Sequence, residues 1–167
     1  MKSYVQNHKK IAEHSFFPLI AYEQMIKKFT DDPKKFEDAR SFKRDPRPIK
    51  YAGHLDGYIY KYYTRQLNCA YNDWARNHGI DDNSTAYRTN KKGKSNIDFA
   101  AEVSKYIANE NEAFVLVGDL KSYFNSFNHH LLKEKMYKVL AIDHLLNDWF
   151  NLFKSVIKYG FVEKSIR

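Results

Sequence analysis

Ala113-Phe114-Val115-Leu116-Val117-Gly118-Asp119-Leu120-Lys121-Ser122-Tyr123-Phe124-Asn125-Ser126-Phe127-Asn128-His129 is the stretch on which the fold turns. Its first six residues are apolar, short and rich in β-type side chains, which predicts a buried strand over 113–118. The strand runs into Asp119. A carboxylate at the C-terminal end of a sheet strand is well placed to hold a metal ion. The same Asp would equally serve as an N-cap if a helix began just after it. One strand cannot make a sheet. Its partners must come from an extended region near 45–52, from the tail after Tyr159, or from residues outside this chain.

Upstream and downstream of this strand the chain reads as mostly helical. Ile11, Phe16, Leu19, Ile20, Tyr22, Met25, Ile26 and Phe29 recur at helical spacing over 9–29, with Pro18 as a kink or break. Residues 30–50 are basic and partly extended: Lys34, Lys35, Arg40, Lys43, Arg44, Arg47 and Lys50 are interleaved with Pro46 and Pro48. A long helix follows over 55–78, with Leu55, Ile59, Tyr62, Tyr63, Leu67, Ala70, Tyr71 and Trp74 as its apolar stripe and Gly79 as its stop. Residues 80–95 are a polar loop whose end, Arg88 to Ser95, holds Arg88, Lys91, Lys92 and Lys94 and no acid. Ser95 and Asp98 resemble a capping box for a helix over 96–109. Two further helices are expected near 130–140 and 143–158. The expected class is α+β: helices first, then the beginning of a sheet.

The 167 residues are 43% hydrophobic and 29% charged, enough for a packed core and against global disorder. Net charge is +8 and aromatics reach 16%, with 13 Tyr and 12 Phe. Nucleic acid is therefore the first partner to consider, with bases stacking on rings and phosphates on cations. A Tyr-rich core would produce the same composition. Cys69 is the only cysteine, so an intramolecular disulfide and a cysteine-based metal site are excluded. The sequence has no run of about 20 apolar residues and no apolar stretch near Met1, and a soluble, cytoplasmic protein is expected. Gly93-Lys94-Ser95 looks like the end of a phosphate loop. Such a loop needs Gly where Arg88 stands, so it is rejected. His129 and His130 are adjacent and would point apart on a helix, which argues against joint chelation.

Three stretches taken together resemble a known family. Phe114 to Phe124, followed by His129 and Leu132, is similar to the first palm motif of bacterial reverse transcriptases. Arg47-Pro48-Ile49, with His54, Asp56, Tyr58 to Tyr60 and Tyr71, resembles their fingers motif and the helix after it. Ala86-Tyr87-Arg88, then Gly93 to Ala100, resembles the stretch that precedes the palm strand. The three occur in the family's order and cover about residues 40–140. The resemblance implies helical fingers over 1–112 and the first part of a palm over 113–167. It implies an RNA-directed DNA polymerase that adds dNTPs to a 3′-hydroxyl on an RNA template, from a DNA or RNA primer, with Mg²⁺. The Arg47-to-Asp56 and Tyr87-to-Ala100 stretches look closer to retron-like and phage-defence enzymes than to group II intron maturases, which implies a role in antiviral defence. Asp119 is then a catalytic metal ligand and the Leu120 carbonyl a further ligand. Phe124 is the steric gate against a ribose 2′-hydroxyl. Arg47, with Lys43 or Arg44, binds the nucleotide triphosphate, for which a guanidinium suits. Arg88, Lys91, Lys92 and Lys94 are expected to follow a nucleic-acid backbone.

The likeness is incomplete. Asn125 stands where many members have Asp, and no aromatic-x-Asp-Asp turn occurs in these 167 residues. The chain by itself is therefore expected not to polymerise, and to need the remainder of a polymerase. Two readings from other classes compete: a non-catalytic nucleic-acid-binding module, and a scaffold that assembles with a partner through the apolar edge beside 113–118.

Overall fold

The computed structural model describes residues 2–29, 42–120 and 126–164, with the backbone alone for Phe29, Phe42 and Lys43. Phe124 lies outside the described residues. The elements run α1 (Lys2–Val5), α2 (His8–Ala12), β1 (Leu19–Phe29), β2 (Phe42–Tyr51), α3 (His54–Asn77), α4 (Asn96–Ala108), α5 (His129–Leu140), α6 (Asn147–Ile157) and β3 (Phe161–Glu163). This is an α+β fold. Two compact units are present: Met1–Tyr62 with Leu146–Arg167, and Tyr63–Leu145.

The first unit holds a three-stranded mixed sheet of order β2-β1-β3. β1 pairs antiparallel with β2 from Ile20↔Tyr51 to Phe29↔Phe42, and parallel with β3 from Leu19↔Phe161 to Ala21↔Glu163. Here the structure departs from the sequence reading. The helix expected over 9–29 stops at Ala12, and Leu19–Phe29 is a strand. α2 stops six residues before Pro18, and the proline ring, which removes a donor and clashes with a preceding turn, keeps any helix from running on into β1. Beyond Pro18, Ile20, Tyr22 and Ile26 satisfy a period of two as well as a period of 3.6. The long-range ladder to β2 decides between them. β2 lies at the sheet edge, where proline is tolerated. Pro46 and Pro48 sit two residues apart, so both ring nitrogens face the same side of the strand.

α2 packs against α6, and Ile11, Ile59, Trp149, Leu152 and Phe153 are buried in this unit. Buried polar groups tie the N-terminal segment down. His14 Nε2 donates to Asp56 Oδ1 at 2.8 Å, and Phe17 N donates to the other carboxylate oxygen at 2.8 Å. Tyr4 Oη meets His14 Nδ1 at 2.9 Å, and His8 Nδ1 donates to Asp148 Oδ2 at 2.5 Å. Asn151 Nδ2 donates to the carbonyls of Ile11 and His14, both at 2.8 Å.

In the second unit the helices fall where the periodicity puts them. α3 ends in a Schellman motif: Gly79 has φ +67°, its N–H reaches Arg76 O at 3.1 Å, and Ile80 N reaches Ala75 O at 3.0 Å. The capping box forms, with Ser95 N and Oγ donating to Asp98 Oδ2 at 2.6 and 2.7 Å. Asn128 caps α5 by accepting from His130 N and Leu131 N.

The strand expected over 113–118 is not formed. Residues 113–120 are irregular and exposed throughout, with Phe114 at 93%, Leu116 at 85% and Val117 at 89% of full accessibility. The cause is one of partners. The two segments of this chain that might have flanked the run, 42–51 and 161–163, both pair with β1 instead. A lone strand leaves its N–H and C=O groups to water.

Candidate nucleic-acid interface

The residues singled out in the sequence fall into three places. Asp119 and Leu120 lie at the end of the exposed 113–120 run in the second unit. Among the described residues no group of three or more His, Cys, Asp or Glu side chains is placed to hold a metal ion. A solvated lone carboxylate gives little to a hard dication that prefers six oxygens. The described residues therefore do not make up a two-metal centre, and Mg²⁺ has no complete ligand set here. His130 Nδ1 lies 3.7 Å from Glu134 Oε1, one turn on along α5.

The nucleotide-binding candidates lie on β2, in the first unit. Lys43 is in register with Lys28, Arg44 with Lys27 and Arg47 with Gln24. Directly opposed residues share a face, so Gln24, Arg47, Ile26, Asp45 and Lys28 lie together on one side of the ribbon. Asp45 Oδ2 accepts from Lys28 Nζ at 2.5 Å and stands 3.9 Å from Arg47 Nε. Arg47 is about half exposed, and such a surface pair holds it only weakly. Its guanidinium therefore remains able to take a phosphate. Arg44 shares the opposite face with Lys27 and Lys50. Lys28 is a functional candidate that sequence reading missed, because the helical reading of 9–29 hid its place beside Arg47.

The 81–94 loop is held by several side-chain hydrogen bonds and ion pairs. The sequence reading sets Arg88 among the backbone-tracking cations, but the structure uses it internally. Its side chain is 1% exposed. Nε donates to Asn72 Oδ1 at 2.7 Å, Nη1 to Ser84 O at 3.1 Å, and Nη2 to Asp81 Oδ1. The guanidinium lies 4.9 Å from the Tyr71 ring centroid. Lys91 is also committed, 3.2 Å from Asp81 Oδ2 and 3.1 Å from Asp82 Oδ1. The Asn90 amide, then Lys91 and Arg88, holds the Asp81 carboxyl below the usual carboxylate range. Its hydrogen bond to Asp82, and then to Asp81, raises the Lys91 ammonium above its ordinary value. Lys94 pairs with Glu102 and lies over the Phe99 ring. Lys92 is exposed, with no ion pair among the described residues.

One residue of this loop was not singled out. Tyr87 has φ +56°, in the left-handed region, and the residue is 97% exposed. A bulky side chain there costs about 1–2 kcal/mol. Its neighbours hold the turn in place. Asn68 Nδ2 donates to Tyr87 O, and Thr89 N and Oγ1 donate to Asn68 Oδ1 at 3.0 and 2.8 Å. Asn72 Nδ2 donates to Thr89 Oγ1 at 2.8 Å. Nothing local in the sequence marks a tyrosine as left-handed. The signal lies in partners on α3, about twenty positions away.

No family model matches this chain, and a search of curated proteins finds no match either. Among the described residues no helix is long and apolar enough to cross a membrane.

Proposed function

We propose that this chain is the fingers and first palm portion of an RNA-directed DNA polymerase, which extends a 3′-hydroxyl with dNTPs on an RNA template. The observation that carries the reading is the order of three motifs in one chain: Arg47-Pro48-Ile49, then Tyr87-Arg88 to Ala100, then the apolar run into Asp119. An exposed Arg47 on an antiparallel ribbon suits a triphosphate, which a guanidinium grips in bidentate fashion. Lys28 adds charge on the same face. An apolar run with open backbone groups suits a segment that completes a sheet only with further strands. On this reading Asp119 is one of several carboxylates and the others are not in this sequence, so the 167 residues alone extend nothing.

The test begins with the coding sequence downstream of codon 167. A frame that continues into an aromatic-x-Asp-Asp turn is the expected result. In that longer product Asp119→Ala should lower primer extension by roughly a hundredfold or more, the scale on which loss of one transition-state stabiliser acts. Template binding should survive. Extension that ignores Asp119→Ala would sink the reading.

A second reading is a non-catalytic nucleic-acid-binding module. It is favoured by the lack of a metal-holding group among the described residues beside a net charge of +8. It predicts binding that is indifferent to chelators and to Asp119→Ala, with no extension in any longer product.

A further inference from the structure

Tyr87 stands where glycine or asparagine would be the easy choice, and its ring touches almost nothing of its own chain. The residues on either side of it explain why the backbone stays there. Thr89 is fixed to Asn68 and Asn72, and Arg88 to Asn72, Ser84 and Asp81. The turn is over-determined, yet the one side chain it displays is not used for packing. Strain held by its surroundings at a bare aromatic ring is a mark of a contact surface.

The ring borders two hollows, and no carboxylate lines either. One, of about 330 Å³, lies between α3, the turn and α5. Leu67, Tyr71, Met136 and Val139 form its apolar wall, and Lys135 stands at it. The other, of about 480 Å³, is polar and is lined by Thr89, Lys91, Lys94 and Asn96. Lys91 and Lys94 reach it while paired with acids of their own, whereas Lys135 is exposed and has no ion pair among the described residues. Each hollow has the size of a small-ligand site. A ring that presents a free π-face with lysines near it suits a single strand, because only an unpaired base offers its face for stacking.

We propose that Tyr87 is a stacking platform for an unpaired base of a single-stranded nucleic acid, with the sugar-phosphate backbone passing Lys135 on one side and Lys94 on the other. This rests on the nucleic-acid reading above and adds to it the strand type and the contacting residue. The order is opposite to what the loop's charges suggest: Arg88 builds the turn, and Tyr87 makes the contact.

The test is fluorescence anisotropy of labelled oligo(dT) and oligo(rU) with the full chain, alongside thermal melting of each variant. Tyr87→Phe should bind within about twofold of the parent, since the ring is kept. Tyr87→Gly should weaken binding about fivefold to a hundredfold, the range of one lost base stack. The same variant should melt higher, because it removes the left-handed strain. Loss of binding with gain of stability is a pairing that a merely structural tyrosine would not give. Lys135→Ala should reduce the slope of log affinity against log salt by about 0.7. Binding of the parent that Tyr87→Gly leaves intact overturns this inference alone. No binding of either oligonucleotide by the parent overturns it together with the nucleic-acid reading. Full competition by poly-glutamate, with Tyr87→Gly binding it equally well, would make the surface one for acidic peptides and overturn base stacking.

Discussion

Two irregular stretches of the second unit, 81–94 and 113–120, have opposite chemistry and opposite fates. The first is polar and charged, and it is tightly built. The second is apolar with strong β propensity, and it makes no regular structure. The difference lies in how far away each finds its partners. Asp81, Arg88, Lys91 and Asn90 satisfy one another within ten residues, and Asn72 and Asn68 of α3 add bonds to Arg88 and Thr89 across 16 and 21 positions. An apolar strand gains nothing until a second strand lies alongside, and loop closure must be met before that ladder forms. Polar groups that close locally can order a loop. Apolar groups that need a sheet cannot order themselves.

The largest test of this comparison removes the centre of the charged network. Arg88→Ala should cost on the order of 3 kcal/mol in denaturant unfolding. It leaves the Asn72 side-chain oxygen and the Ser84 carbonyl without the donors that Arg88 supplies, and it removes the cation from beside the Tyr71 ring. Arg88→Lys should recover little, since one ammonium cannot reach Asn72, Ser84 and Asp81 together. A loss under about 0.5 kcal/mol would mean that the loop is not held by Arg88.

A smaller effect follows from pH. The Asp81 carboxyl is held below its ordinary value, so the stability it contributes is complete above about pH 4 and is lost as pH falls through the lowered value. Asp98, lowered first by the Ser95 hydroxyl, acts in the same direction on the cap of α4. The Lys91 ammonium is raised, so its contribution is complete below about pH 10 and is lost as pH rises through the raised value. Amide exchange of residues 82–90 should therefore be flat across neutral pH after correction for intrinsic rates, with protection falling at both extremes. Asp81→Asn should flatten the acid limb. An unchanged acid limb would show that other carboxylates carry it.

How much was legible follows the same division. Helices α3 to α6 were readable because their stripes and stops lie within the element: Gly79 ends α3, and Ser95 with Asp98 starts α4. β1 was not, since Ile20, Tyr22 and Ile26 fit either period and the deciding partner begins at Phe42. The extended character of 45–52 was visible in Pro46 and Pro48, but its partner was not. In the candidate interface, the charge of Arg88 was legible and its burial was not, because burial depends on Asn72 and Asp81 arriving together. Tyr87 belongs to a stretch that resembles the family, but its strained display depends on the turn and on Asn68 and Asn72 of α3, which hold it.

The smallest expected effect sharpens the comparison most. Leu116 is an apolar residue in an apolar run, and in a packed strand its replacement by Asp would cost several kcal/mol. Here the side chain is exposed, so Leu116→Asp should change unfolding free energy by no more than about 0.5 kcal/mol. What it should change is association. Exposed apolar side chains such as Phe114, Val115, Leu116 and Val117, and elsewhere Ile97, Val103 and Tyr106 of α4, are the kind through which chains adhere. Light scattering at rising concentration should show less self-association for the variant than for the parent. A loss of 2 kcal/mol or more would place Leu116 in a core after all, and 113–120 would then be a strand with a partner.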